Sequence, residues 1–158
     1  MIELFYSSTP NGKKISIMLE EIGFEYKITK VNLNPGGNFS KGEQFDPKFR
    51  KISPFSKIPA IIDHSNNKEA IFESGAILMY LGEKSNKFYE QKDRTKINQW
   101  LMAQMAYVGP MLGQHHQFHH YNSGKDKWGE ERYFKITKTI YADLDERLGK
   151  SKYLAGDN

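Results

Sequence analysis

The 158-residue sequence contains no cysteine. This excludes disulfide bonds, thiolate zinc sites and any enzyme whose own thiol is the nucleophile. It fits a reducing compartment, so a cytoplasmic location is expected. No run approaches the ~18 consecutive apolar residues that a membrane helix needs, and no membrane partner is expected. The opening MIELFYSSTP lacks a basic segment, an apolar stretch and a small-residue cleavage site, so no secretory signal is read there. A basic stripe interleaved with aromatics is also missing. The formal net charge is +4, from 23 basic and 19 acidic residues, but both signs are mixed along Glu20, Glu21, Lys27, Lys30, Glu43 and Asp46. That pattern is a solvated surface, and no nucleic acid is expected as partner. No internal repeat is visible.

What remains is the composition of a globular protein, 38% apolar and 27% charged. Its length fits one large domain, or one compact domain plus part of another. Residues 2–6 form a short apolar run, the mark of a buried strand. Pro10 and the pair Asn11-Gly12 break it. From Lys13 to Ile22, residues Ile15, Met18, Leu19 and Ile22 share one helix face, and Gly23 ends that helix. Residues 25–31 alternate as a strand does, and Asn32 to Gly42 reads as a loop. A short helix is expected over 47–51, strands over 58–62 and 70–72, and a helix over 74–84 with Ile77, Leu78 and Leu81 inward. The order β-α-β-(α)-β-β-α fills residues 1–84. Residues 85–92 are polar and read as a linker. Residues 93–158 carry helical periodicity only. Asp93 can cap a helix reaching to about Tyr121, interrupted at Gly109-Pro110. A second helix is expected from Lys127 to Leu148, with Tyr133, Ile136, Ile140 and Leu144 at spacings of three and four.

Three junctions carry chemistry. Ser8-Thr9-Pro10-Asn11-Gly12 lies between a strand and a helix, where unpaired N–H groups and a positive dipole end can hold an anion. A thiolate is such an anion, and Thr9 and Asn11 would add donors. Alone, the segment is an ordinary helix cap. Lys57-Ile58-Pro59-Ala60 places an X-Pro bond before a strand; a cis bond there exposes the preceding backbone for pairing with a ligand. Alone, it is a proline at a strand start. Phe72-Glu73-Ser74-Gly75 is again strand to helix. Ser74 and adjacent N–H groups can hold a carboxylate, and Glu73 can pair with an ammonium group. An amino-acid zwitterion such as the γ-glutamyl end of glutathione would meet both. Alone, Ser74 is a plain N-cap.

In this order and spacing the segments resemble the glutathione transferase family, and most closely its bacterial Nu-class members and their fungal relatives. The resemblance is carried by Thr9 to Gly12, Lys30-Val31, Gln44-Phe45, Ile52-Ser53-Pro54, Lys57 to Ala60, Asp63-His64, Phe72 to Leu78, Tyr80-Leu81 and Glu83-Lys84. It continues through Gln99-Trp100-Leu101, Gly109 to Gln114, His116, Phe118, His119 and Glu131-Arg132-Tyr133. It implies an α/β thioredoxin-like glutathione-binding domain followed by a partial all-α helical domain. It also implies a disulfide reductase or transferase whose thiol is bound glutathione. Thr9 and Asn11 would stabilise the glutathione sulfur. Gln44 would contact the glycine end, and Ile58, flanked by Lys57 and Pro59, would pair its backbone with the cysteinyl backbone. Glu73 and Ser74 would hold the γ-glutamyl end. Arg132 matches an arginine that approaches glutathione in the family; alone it is a surface charge. The second partner would be a small disulfide or an electrophile, and a homodimer is expected from the family.

Tyr6 is a tempting hydroxyl, as other transferase classes use an N-terminal tyrosine, but its place within the first strand favours a core role. His115, His116, His119 and His120 form i,i+4 pairs, a spacing that metals use. No carboxylate lies nearby, so no metal is expected, and the cluster reads as a wall of a substrate cleft between domains. Two departures stand out. An insertion over Asn38 to Glu43 lengthens the loop before Gln44. Family members also continue past Leu154-Ala155-Gly156-Asp157-Asn158 with further helices, so a fragment or a reduced domain with exposed apolar surface is expected. Two rivals to the enzyme reading are a non-catalytic glutathione-binding regulatory module and, on the histidines alone, a metal-dependent hydrolase.

Overall fold

The computed structural model describes residues 1–34 and 39–157. The chain divides into two compact units, Met1–Glu90 and Gln91–Asn158.

In the first unit, strand β1 (Ile2–Tyr6) is followed by helix α1 (Pro10–Ile22). The helix begins three residues before the apolar periodicity does. Pro10 suits the first helical position, where its missing N–H costs nothing. The Thr9 hydroxyl oxygen accepts from the Gly12 N–H at 3.2 Å and caps the turn. Gly12 is required by close approach: a Cβ there would stand 2.4 Å from the Ser7 carbonyl oxygen and 3.0 Å from the Tyr6 ring. Gly23 ends α1 in the left-handed region, φ 74°, and donates to the carbonyls of Leu19 and Glu20.

Strand β2 (Tyr26–Lys30) pairs parallel to β1. A 3-10 turn, Phe39–Lys41, lies within the expected loop, and a second, Glu43–Phe45, follows it. Part of the insertion Asn38 to Glu43 falls outside the described residues. Helix α2 (Pro47–Arg50), strands β3 (Ala60–Asp63) and β4 (Glu69–Phe72) and helix α3 (Ser74–Ser85) follow. Strand β3 starts two residues later than the sequence suggests, since Pro59 has no N–H to give to a ladder. The sheet order is β2-β1-β3-β4, with β3 antiparallel to both neighbours. This is the thioredoxin-like arrangement expected.

Alternation along β1 sends Ile2 and Leu4 to one face and Glu3 and Phe5 to the other. On the first face Ile2, Leu4 and Ile61 pack with Ile15, Met18, Leu19 and Ile22 of α1 and Ile77 and Leu81 of α3. Each full burial of this kind contributes about 1.5–3 kcal/mol of transfer free energy. On the second face Val31, Phe49 and Ala60 form a smaller cluster, with the Phe5 and Phe49 rings 5.8 Å apart.

Asp63 closes the far end of β3 with its side chain fully buried. Tyr80 Oη donates to Oδ2 at 2.7 Å, and Lys84 Nζ lies 2.9 Å from the same oxygen. Oδ1 accepts from the Ser65 N–H at 2.9 Å and the Ser65 hydroxyl at 2.7 Å. Burial pushes the Asp63 carboxyl up, but the bonds from Ser65, Tyr80 and Lys84 outweigh it and hold it well below the usual carboxylate range.

The second unit is helical. Helix α4 (Arg94–Ala103) runs on through a π turn (Gln104–Val108) into α5 (Gly109–His116) and a second π turn (Gln117–Tyr121). The expected break at Gly109-Pro110 is absent. Gly109 instead donates to the Gln104 carbonyl, five residues back, and the widened turn accommodates the proline without stopping the helix. Asp93 makes no side-chain cap bond. Helix α6 (Lys127–Leu148) is capped by Asp126, whose Oδ1 accepts from the Gly129 N–H at 3.0 Å. Gly129 lets α6 meet the second π turn, since a Cβ there would stand 2.5 Å from the Phe118 ring. Among the described residues no helix is long and apolar enough to cross a membrane.

Asp63 gives a pH-dependent prediction. Its native carboxyl titrates below the unfolded reference of about 3.9, so its stabilisation is present above that value and is lost as pH falls. Urea unfolding between pH 7 and pH 3 should show stability declining below about pH 5. Asp63→Asn should cost about 3 kcal/mol at neutral pH and flatten the decline; Tyr80→Phe should cost about 1 kcal/mol.

Candidate functional site

Sheet register gathers three of the chemistry-bearing junctions. Phe5 of β1 lies opposite Ala60 of β3, and Ala60 lies opposite Phe72 of β4. Because β3 runs against its neighbours, the end of β1, the start of β3 and the end of β4 meet at one end of the sheet. The segments carrying Thr9 and Asn11, Lys57 to Pro59, and Glu73 and Ser74 all leave the sheet there. Tyr6 pairs with Lys30, and the Val31 N–H donates to the Tyr6 carbonyl at 2.8 Å, so the chain leading to Gln44 departs from the same end.

Thr9 is half-buried and Asn11 exposed on the first turn of α1. The Thr9 oxygen accepts from Gly12, which leaves its own O–H able to donate. The Ile58–Pro59 peptide bond is cis. The β3 ladder begins only at Ala60, so the Ile58 backbone lies beyond it. Lys57 is exposed, but its backbone is fixed. Its carbonyl accepts from the buried Ser53 hydroxyl at 2.7 Å, and its N–H donates to the same oxygen at 3.3 Å. Glu73 is exposed and has φ 70° and ψ 118°, a conformation that non-glycine residues rarely adopt. Ser74, buried at 6% exposure, opens α3, and the first amides of the helix at Gly75 and Ala76 have no acceptor within it. Gln44 is buried at 7% exposure; its Nε2 donates to the Leu33 carbonyl at 3.3 Å, while its Oε1 has no partner.

Arg132 belongs to the second unit. It is exposed on α6, its guanidinium 5.5 Å from the Trp128 ring centre. Tyr6 is half-buried and packs on the core against Gly12. The histidines form two stacks, His115 on His119 with ring centres 5.0 Å apart and His116 on His120 at 4.7 Å. Their planes are within 25° of parallel. Among the described residues no group of three or more His, Asp or Glu could hold a metal ion.

The glutathione S-transferase N-terminal domain model matches residues 3–83. The chain belongs to the glutathione S-transferase family. Within the family it is 44% identical to the disulfide-bond oxidoreductase YfcG of Escherichia coli, over all of this chain and 74% of that protein. It is 32% identical to the transcriptional regulator URE2 of Saccharomyces cerevisiae, over 93% of this chain but only 42% of that protein. A glutathione transferase family member from Pseudomonas fluorescens, solved with two glutathione bound, superposes with a TM-score of 0.86 at 40% identity, over 99% of this chain and 70% of its own. The α/β thioredoxin-like unit followed by a partial helical unit is thus the transferase architecture that the motifs implied.

Two residues at this end were given no role in the sequence reading. Ser53 braces the loop before Ile58; its signal was a hydroxyl four residues ahead of Lys57. Lys14 is half-buried on α1, one turn beyond Asn11. Burial pushes its ammonium pKa down, and the charge of Glu73 partly offsets this. Its signal was a cation at i+3 from Asn11, on the helix edge that leads to Met18.

His115 supplies a prediction for the second unit. Burial, then the charges of His119 and His116, hold its pKa below the ordinary value. The unfolded chain therefore takes up a proton first. Stability is fully present above about pH 6.5 and falls on acidification through the lowered value. Melting curves followed by circular dichroism should shift down between pH 7.5 and 5.5, and His115→Phe should reduce that shift.

Proposed function

We propose that the chain is a glutathione-dependent disulfide reductase that uses bound glutathione as its thiol. The observation that carries this reading is the convergence at one sheet end of a capped helix start, the cis Ile58–Pro59 bond and the Glu73–Ser74 helix start. The likeness to YfcG and to the glutathione-bound P. fluorescens structure supports it. So does the lack of cysteine, since any reacting thiol must then come from outside the chain.

In this reading Ser74 and the first amides of α3 receive the γ-glutamyl carboxylate, and Glu73 receives its ammonium group. Ile58 pairs its backbone with the cysteinyl residue. Gln44 meets the glycine carboxylate once its Nε2 leaves Leu33. The sulfur lies at the start of α1. The Thr9 O–H and the Asn11 amide donate to it, and the helix dipole lowers its pKa from about 8.5. The thiolate attacks one sulfur of a disulfide, forming a glutathionyl mixed disulfide and releasing the other sulfur as a thiolate that takes up a proton. A second glutathione thiolate attacks the glutathione sulfur of that mixed disulfide. Glutathione disulfide leaves, and the second substrate half is released as thiol. Attack of the same thiolate on a carbon electrophile is the conjugating variant. We place this activity in the cytoplasm, in a homodimer, without a metal.

A second reading, a glutathione-binding regulatory module without turnover, is favoured by the likeness to URE2. Turnover separates the two. Calorimetric titration should show glutathione binding that weakens about 10-fold, roughly 1.4 kcal/mol, in Ser74→Ala. Coupled assay of a small mixed disulfide should show glutathione-dependent reduction. Thr9→Ala should lower that rate at least 10-fold, whereas Thr9→Ser, which keeps both cap and hydroxyl, should retain most of it. Binding with no reduction would leave the regulatory reading standing.

A further inference from the structure

Helix α6 buries only part of its apolar surface. Gly129, Thr137 and Ile140 are buried within the second unit. Phe134, Tyr141 and Leu148 are not; they keep 48%, 61% and 49% of their surface exposed. These three recur every seven residues, so they form one stripe along the helix, drifting by only about 20° per interval. Phe134 is steadied in it by the rings of His115 and His119, whose centres lie 6.0 and 6.3 Å away. Two charges flank the stripe on its outer side. Lys138 and Asp145 stand four residues after Phe134 and Tyr141, and both are exposed. Lys138 Nζ lies 5.9 Å from the Phe134 ring centre. Among the described residues neither Lys138 nor Asp145 has an ion-pair partner. They are two turns apart, beyond the three- and four-residue spacings at which side chains of one helix meet.

A second copy of the chain satisfies the stripe and both charges at once. Two α6 helices laid antiparallel about a two-fold axis near Tyr141 set each Phe134 against the other copy's Leu148, and Tyr141 against itself. The same operation brings each Lys138 beside the other copy's Asp145. A parallel pair instead sets Lys138 level with Lys138 and Asp145 level with Asp145, and gains no such match. We propose that the Phe134–Tyr141–Leu148 stripe is an isologous docking surface for a second copy of this chain, paired antiparallel and held in register by Lys138 and Asp145. The stripe supplies the association, and the ion pairs at its rim fix direction and register. The homodimer of the proposed function thereby gains a surface, and no part of the glutathione site enters it.

The test is sedimentation velocity of the whole chain over about a 100-fold range of concentration. The wild type should sediment as a dimer. Lys138→Asp and Asp145→Lys each set like charges together at two points of the symmetric interface, and each should weaken dimerisation about 10-fold. The double variant, Lys138→Asp with Asp145→Lys, restores both pairs with their polarity reversed and should recover most of that loss. Because the chain has no cysteine, cross-linking gives a clean second readout. Tyr141→Cys, on the axis, should oxidise to a disulfide-linked dimer. Phe134→Cys alone should not, because its two copies lie about 21 Å apart along the helices; mixed with Leu148→Cys it should cross-link. A dimer indifferent to the single charge variants, or a double variant as weak as either of them, would put the interface elsewhere and overturn the proposal while leaving the homodimer. A wild-type chain that stays monomeric throughout the range would overturn both.

Discussion

Phe5, Ala60 and Phe72 sit side by side across three strands, and every feature of the proposed site depends on that register. A slip of one residue in β3 would turn Ile61 out of the core and bring Ile62, which is only half-buried, into it. It would also carry Pro59 and Ile58 away from the starts of α1 and α3. The hydrophobic face therefore does more than stabilise the unit. By requiring Ile2, Leu4 and Ile61 to face α1 and α3 together, it places two helix N-termini and one proline loop at a single end of the sheet.

The opposite end of the sheet is fixed by different means. There Asp63 draws in Ser65, Tyr80 and Lys84, joining the end of β3 to the last turns of α3 by directional bonds. Apolar packing sets the depth of α3 on the sheet, and this network sets its position along the axis. Between the two, the N-terminus of α3 has little freedom, which suits the charge-receiving role proposed for it. Glu73 is the point where this rigidity is visible, since its φ of 70° is held by the neighbouring elements rather than chosen by its own side chain.

Strands, helices and three site junctions were legible because their signals are local: alternation, threefold and fourfold spacing, caps and breakers. The starts of α1 and β3 were misjudged because a proline can open a helix and close off a strand, and periodicity alone does not say which. The π turns were invisible for a related reason. Gly109-Pro110 reads as a stop unless a widened turn is available, and the bond from Gly109 to Gln104 is not encoded in any short pattern. Lys14 and Ser53 went unread because their meaning lies in what folds against them. Their spacings to Asn11 and Lys57 are weak signals, and only the half-burial of Lys14 and the bonds of Ser53 to the Lys57 backbone give them weight. The gathering of the junctions at one sheet end thus required tertiary structure, although each of them was written in a few consecutive residues.

The sheet order β2-β1-β3-β4 leaves two open borders, and their chemistry bears on how copies of this chain can meet. An open border is a template on which another strand can add by backbone pairing. Strand β2 carries Lys27 and Lys30, and β4 spans only Glu69–Phe72 and begins with an acid. A second molecule pairing along β2 in either direction would bring ammonium groups together or strip them of water. The borders are guarded against continuous sheets and fibrous growth, and contact between copies is directed to the helical and loop surfaces.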